Sequence, residues 1–142
     1  MQLNIETDYA VRCVLYLAQC GKYTPVVRIG EQMRIEEDTL SRIIALLCEA
    51  GVVETRKIPH SCRLAREPEK ISVLDILELM EGTIKINRCL EHDGYCNRSG
   101  RDCNCPVHRY YSGVQNMLEQ VFGDTSFADL LNGKADAFRA LV

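Results

Sequence analysis

Glu37-Asp-Thr-Leu-Ser-Arg-Ile-Ile-Ala-Leu-Leu-Cys-Glu-Ala-Gly-Val-Val-Glu-Thr-Arg-Lys-Ile-Pro-His-Ser-Cys-Arg-Leu-Ala65 is the stretch on which the fold turns. From Glu37 to Ala50, Leu40, Ile43, Ile44, Leu47 and Cys48 recur at three- and four-residue steps, which predicts an amphipathic helix closed by Gly51. Val52 to Arg56 then reads as a short strand, Lys57 to Ser61 as a turn and Cys62 to Ala65 as a returning strand. Upstream, Val26 to Met33 is a second short helix with Val27, Ile29 or Gly30, and Met33 on its apolar side, and Arg34-Ile35-Glu36 turns the chain. Periodicity alone fits an ordinary helical hairpin as well as a helix-turn-helix. The β-hairpin that follows decides for a winged helix, because Thr55 to Arg66 holds Arg56, Lys57, Arg63 and Arg66 with no acid. Clustered cations on a hairpin call for an anionic partner. In this reading the helix from Glu37 enters the DNA major groove and the wing reaches phosphates or the adjacent minor groove.

The candidate DNA contacts follow. Thr39, Ser41 and Arg42 are the polar residues after the acidic start of the recognition helix, and Arg42 suits guanine because its fork can donate to O6 and N7 together. Arg56, Lys57, His60 and Arg63 are the wing candidates.

Outward from this centre, Thr7 to Cys20 predicts a helix capped by Thr7 or Asp8, with Tyr9, Cys13, Tyr16, Leu17 and Cys20 along one face. Cys13 and Cys20 read there as core cysteines. Tyr23-Thr24-Pro25 reads as a turn. Ile71 to Glu81 is a helix with Ser72 as cap and Gly82 as stop. Pro106 opens a long helix through Phe122; Gly123-Asp124-Thr125 breaks it, and Ser126 caps a short helix to Leu131. The tail after Asn132-Gly133 is weakly patterned. The fold class is mainly α with a small β-hairpin wing, a winged helix-turn-helix plus a long C-terminal helix. The regions are 1–82 for DNA binding, 83–105 for a cysteine-rich loop and 106–142 for the long helix and tail, integrated in one domain.

Net charge is −3, and it is unevenly spread. Residues 1–70 carry ten Lys/Arg and ten Asp/Glu, whereas residues 71–142 carry seven against ten, so any affinity for DNA rests on local clusters. No apolar run approaches the ~18 residues of a membrane span. The N-terminal residues lack a signal-peptide pattern. A cytoplasmic setting is expected, in which metal binding or redox sensing suits eight cysteines better than a disulfide framework. There is no Ser/His/Asp pattern, phosphate-binding glycine loop or paired-carboxylate arrangement, so an enzyme is not expected.

Arg88 to Tyr111 holds Cys89, Cys96, Cys103, Cys105, His92 and His108 among loop-forming Gly94, Asn97, Ser99 and Gly100. Thiolates and imidazole suit zinc or iron–sulfur clusters, and a polar loop offers cysteines little core to pack into. The steps Cys89-x6-Cys96-x8-Cys105 are wide beside those of ferredoxins, so a cluster here would be open to small oxidants, as a sensor requires. Arg88, Arg98, Arg101 and Arg109 flank the candidate ligands and favour thiolate over thiol. His92 reads as solvent-exposed. A structural zinc site on Cys96, Cys103, Cys105 and His108 is the alternative, and a metal-free thiol switch a further one.

The whole pattern resembles the Rrf-two family of bacterial transcription regulators, which includes cluster-assembly regulators and nitric-oxide sensors. The resemblance runs from Met1 to about Leu131. It is carried by Gln2-Leu-Asn-Ile-Glu-Thr-Asp-Tyr-Ala-Val-Arg12, Ile29-Gly-Glu-Gln-Met33, Glu49-Ala-Gly-Val-Val53, Ser72-Val-Leu-Asp-Ile-Leu77, Cys89, Cys96 and Cys105-Pro-Val-His108. It implies a homodimer built on the helix after Pro106, an iron–sulfur cluster near the dimer interface, and cluster-controlled binding to a pseudo-palindromic operator in double-stranded DNA. It also implies Cys89, Cys96 and Cys105 as cluster ligands, with Cys103 as an alternative to Cys105. The fourth ligand is then His108, which suits a 2Fe–2S cluster, or Asp8 of the other subunit, which suits a 4Fe–4S cluster; the former is preferred. Two departures stand out. Pro59-His60-Ser61-Cys62 replaces the family's wing glycines and predicts a stiffer wing. Glu36, Glu37 and Asp38 favour the helix N-terminus but repel phosphate, which lowers non-specific affinity.

Overall fold

The computed structural model describes residues 2–98 and 104–133. Its elements are α1 (Ile5–Cys20), β1 (Thr24–Pro25), α2 (Val26–Met33), α3 (Glu37–Glu49), β2 (Val53–Arg56), β3 (Ser61–Leu64), α4 (Val73–Glu81), α5 (Pro106–Asp124) and α6 (Phe127–Leu131). Single 3-10 turns occupy Pro68–Lys70 and Arg88–Leu90.

α1 is the spine of the core. Its Ala10, Cys13, Val14 and Leu17 are buried against α2, α3, α4, α6 and β3, together with Ile29, Leu40, Ile43, Leu47, Ile71, Ile76 and Phe127. The helix begins earlier than Thr7 or Asp8. Asn4 is the cap, and its side-chain oxygen accepts from the Glu6 amide at 3.1 Å. Thr7 is instead fully buried and donates its hydroxyl to the Glu81 carboxylate, which also accepts the Asn4 amide at 2.7 Å. The last turn of α4 is thereby fastened to the first turn of α1. Of the two expected core cysteines on α1, Cys13 is buried and Cys20 half-buried.

The helix-turn-helix is set by a close approach. A Cβ on Gly30 would lie 3.2 Å from the Ile35 carbonyl oxygen and 3.3 Å from a Leu40 methyl. Gly30 thus lets α2 lie against the start of α3. Arg34 turns the chain in the left-handed region at φ 55°, and the Ile35 amide closes the turn on the Gly30 carbonyl at 3.0 Å. On α2 it is Val26 and Ile29 that are buried, whereas Val27 is exposed.

The wing is a three-stranded sheet in the order β1-β3-β2, not a bare hairpin. Thr24-Pro25, expected to be a turn, pairs antiparallel with Cys62 and Ser61 of β3. Two residues are too short for any period to show. Across the hairpin Val53 faces Leu64 and Arg56 faces Ser61. The Val26 amide donates to the His60 carbonyl at 3.2 Å, tying the returning strand to the start of α2.

α4 starts at Val73, with a full capping box between Ser72 and Asp75, and α6 repeats that device with Ser126 and Asp129. α5 runs through Gly123 and Asp124, where a break was expected, and ends at Thr125, whose hydroxyl donates to the Val121 carbonyl at 2.8 Å. Gln115 is the buried residue of α5, while Val107, Tyr110 and Met117 are exposed. The weakly patterned tail lies outside the described residues. No helix among them is long and apolar enough to cross a membrane.

Candidate functional site

Two surfaces carry the chemistry. The first is made by α3 and the wing. Ser41 and Arg42 are exposed on α3 and Thr39 is half-buried. Glu36, Glu37 and Asp38 are all exposed around its N-terminus. Arg42 does not stand alone, since its Nη2 donates to Glu6 Oε1 of α1 at 2.6 Å.

On the wing, the guanidinium carbons of Arg56 and Arg63 lie 3.7 Å and 4.6 Å from the centre of the Tyr23 ring. The Tyr23 hydroxyl donates to Glu54 at 2.7 Å, and Arg63 Nε donates to the same carboxylate oxygen. Those two bonds, Tyr23's first, hold the Glu54 carboxyl below its ordinary range. Arg63, although exposed, is thus engaged by its own chain, while Lys57 and His60 are exposed nearer the tip. Tyr23, Glu54 and Glu6 were not found from sequence. Each is an ordinary-looking polar residue whose role appears only when distant segments meet.

The second surface is a cavity of about 430 Å³ at the N-terminal end of α5, lined by Cys89, Cys96, Cys105, His108 and Tyr111 among others. Cys89 sits on the 3-10 turn Arg88–Leu90, whose cap Asn87 accepts the Cys89 amide at 3.4 Å. Cys105 is the N-cap position of α5, Pro106 fills its first turn, and His108 follows one turn later. Gln115 anchors the loop from below: it accepts the Ile86 amide at 2.9 Å and donates to the Ile84 carbonyl at 3.3 Å and to Glu119 at 2.9 Å. Lys85 also pairs with Glu119 and, as the leading cause, draws that carboxyl below its ordinary value.

The resemblance implies an iron–sulfur cluster, and the chemistry of the residues at this cavity suits one. Three thiol-bearing residues and one imidazole face a common space, and His108 Nδ1 is buried with no hydrogen-bond partner. A buried ring nitrogen without a partner is costly, and a bound metal is one group that satisfies it. The described residues fit the group in the chemistry of their donors and in lining one cavity. No set of three His, Cys, Asp or Glu among them is already drawn into metal-holding geometry. Cys103 and Arg101 lie outside the described residues. Asp8 is exposed on α1, where it pairs with Arg12 at 2.6 Å, and it does not line the cavity of its own chain. His92 is exposed, as expected. Arg88 lines the cavity but its guanidinium pairs with Asp93, at 2.7 Å for Nη1.

A winged helix beside a cysteine-lined cavity is the arrangement of a transcriptional regulator that binds DNA. The Rrf2 family profile, described as iron-dependent transcriptional regulator, matches residues 3–133. A helix-turn-helix-type transcriptional regulator of Aquifex aeolicus is 30% identical over 126 residues, covering 87% of each chain. The NsrR regulator of Shouchella clausii is 31% identical over 96 residues, 66% of this chain and 64% of that one. Among solved structures, T. potens IscR superposes with a TM-score of 0.72 at 25% identity, covering 96% of this chain and 90% of the other. CymR, the global cysteine regulator of B. subtilis, shares the fold with a TM-score of 0.74 at 22% identity over 92% and 95% of the two chains. The chain belongs to the Rrf2 family of transcriptional regulators. Its relatives are regulators and not enzymes.

Proposed function

We propose that this regulator binds a pseudo-palindromic operator as a homodimer, and that an iron–sulfur cluster held in the cavity controls the binding. The observation that carries the reading is that Cys89, Cys96, Cys105 and His108 line one cavity, while His108 Nδ1 is buried without a hydrogen-bond partner. Cys89, Cys96 and Cys105 are the proposed thiolate ligands and His108 the fourth, the set that favours a 2Fe–2S cluster. When bound, the group supplies one-electron redox chemistry and reactivity toward small oxidants. The chain's own part is to seat it. Gln115 and Lys85 fix the incoming loop on α5, and the start of α5 positions Cys105 and His108 one turn apart.

The dimer reading rests on α5, whose exposed Val107, Tyr110 and Met117 find no cover within the described chain. A second copy packing on this helix doubles the winged helix, and operator symmetry follows from protein symmetry. Thr39, Ser41 and Arg42 are the proposed base-facing residues of α3, with Arg56, Lys57, His60 and Arg63 on the wing.

Anaerobic purification with iron and sulfide analysis and a visible spectrum tests the reading. A brown protein with acid-labile sulfide is expected. Cys89→Ala, Cys96→Ala and Cys105→Ala should each abolish the chromophore and change DNA affinity, whereas Cys103→Ala should spare both. His108→Ala should alter the spectrum and Asp8→Ala should not; the reverse result replaces His108 by a partner-subunit carboxylate and a 4Fe–4S cluster. A colourless protein carrying zinc, or one without metal that responds to oxidants, would refute the cluster and leave the zinc-stabilised or thiol-switch forms of the regulator.

A further inference from the structure

We propose that Ile58, at the tip of the wing, is a specificity-determining contact that enters the DNA minor groove and selects A·T over G·C pairs; this rests on the DNA-binding reading above. Ile58 is 91% exposed, more than any other large apolar residue described as exposed. A single exposed apolar side chain is ordinary by itself. Its setting is not. Arg56, Lys57 and His60 around it are all exposed, and no acid occurs between Thr55 and Arg66. The tip is an apolar point inside a cationic collar.

The tip is also held. Arg56 pairs with Ser61 across the hairpin, the Ser61 hydroxyl donates to the Pro59 carbonyl at 3.0 Å, and the Val26 amide donates to the His60 carbonyl. Arg56, the last residue of β2 before the tip, is stacked on Tyr23. Little further ordering is therefore needed when the tip meets a partner, so the gain from burying Ile58 is not consumed by conformational entropy.

The partner that matches this chemistry has anionic rims and an apolar interior. The minor groove is such a surface, with phosphates along both edges and deoxyribose carbons as walls. Arg56 and Lys57 suit the rims while Ile58 suits the space between. A lone isoleucine presents far less apolar area than a membrane-surface segment uses, and the wing adjoins the helix already assigned to the major groove. Selectivity follows from the groove floor. Every pair shows acceptors there, but G·C adds the guanine N2 amine. Ile58 offers that donor no acceptor, so it would be desolvated and unpaired beneath the tip.

The full chain, purified anaerobically, is used to enrich binding sites from random duplexes. In the enriched site, A·T pairs beneath the wing are replaced by G·C or by inosine·C, which keeps the G·C major-groove pattern but lacks the N2 amine. With the change made in one half-site, wild type should bind the G·C version about ten- to a hundredfold more weakly, the scale of one desolvated unpaired donor, and should recover on inosine·C. Ile58→Ser should bind the parent site more weakly by a similar factor and should not distinguish the three duplexes, while keeping the central sequence preference set by α3. Retention of that preference shows that the variant is folded. Equal affinity and equal discrimination by Ile58→Ser, or inosine·C behaving as G·C does, would overturn the proposal while leaving DNA binding intact. Binding to anionic phosphatidylglycerol vesicles that is lost in Ile58→Ser, with DNA selectivity unchanged, would assign the tip to a lipid surface and overturn it too. Enrichment of no sequence by wild type would refute the DNA-binding reading itself, and the assignment of Ile58 with it.

Discussion

Glu6→Gln should tighten binding to the cognate operator, because Glu6 occupies the arginine proposed to read it. Arg42 Nη2 lies 2.6 Å from Glu6 Oε1, and the two side chains are 62% and 37% exposed. A pair this open to solvent is worth about 0.2–1 kcal/mol. A glutamine at position 6 keeps the shape and removes the charge. A dimer would release two such pairs, so the affinity gain should fall between about twofold and thirtyfold. Removing two negative charges from a DNA-facing surface also aids non-specific binding, and that part must be separated. Fluorescence anisotropy on cognate and random duplexes at two salt concentrations does so, combined with the same change in an Arg42→Ala background. The cognate-specific part of the gain should vanish in the double variant. If Glu6→Gln tightens both duplexes equally, or its full effect survives without Arg42, the ion pair does not restrain a base-reading side chain.

Arg42→Ala should itself cost about 1–3 kcal/mol on the cognate site and relax preference at one position per half-site, whereas Arg56→Ala should weaken cognate and random DNA alike and lower the salt slope by about one; affinity titrations over a range of salt tell them apart. Burial, and then the proximity of other thiols, pushes Cys13 and Cys62 from 9.0 up to about 12. Both should resist iodoacetamide in the native protein at about pH 8 while Cys89 is modified, as peptide mass analysis would show. From about pH 9 to 12 the unfolded chain binds fewer protons at these thiols than the folded one, so stability should fall as pH rises, by up to ~1.4 kcal/mol per pH unit for each; denaturant titrations over that window check the sign. Gln115→Leu leaves the part-buried Ile86 amide without its partner, a local cost of at most about 1–3 kcal/mol; hydrogen exchange should quicken at Ile86 but not in α3. Glu119, drawn below its ordinary value by Lys85, adds stability above the usual carboxylate range and should lose it as pH falls through its lowered value, which exchange at Ile86 would also register.

Much of this molecule was legible because its periods are long enough to count. Thirteen residues of α3 and nineteen of α5 display their stripes, and the acid-free run from Thr55 to Arg66 marks the wing. The misses share a cause. β1 has only two residues, so it exists through pairing with β3 and not through its own composition. Thr7 looked like a cap because nothing local reveals Glu81, seventy-four residues away. The cysteines were visible as a donor set from sequence, but the cavity they share depends on where α5 begins. The roles of Glu6 and Tyr23 required α1 to meet α3 and the residues before β1 to meet the wing. Val27 is a further miss: Ile29 and Met33 face the core as their spacing predicts, but at the start of α2 it is the neighbouring Val26 that is buried.

The strand order β1-β3-β2 bears on how copies of this chain can meet. A sheet edge with unpaired backbone groups invites another strand, the common beginning of aggregation. Here one edge is β1, two residues long and ending in Pro25, which has no amide hydrogen to offer. The other is β2, four residues long, with Glu54 and Arg56 along it. Neither edge is a good template for an incoming strand. Self-association is left to helices, and the wing can carry its cations and its bare isoleucine into solvent without becoming a seed for strand-to-strand growth.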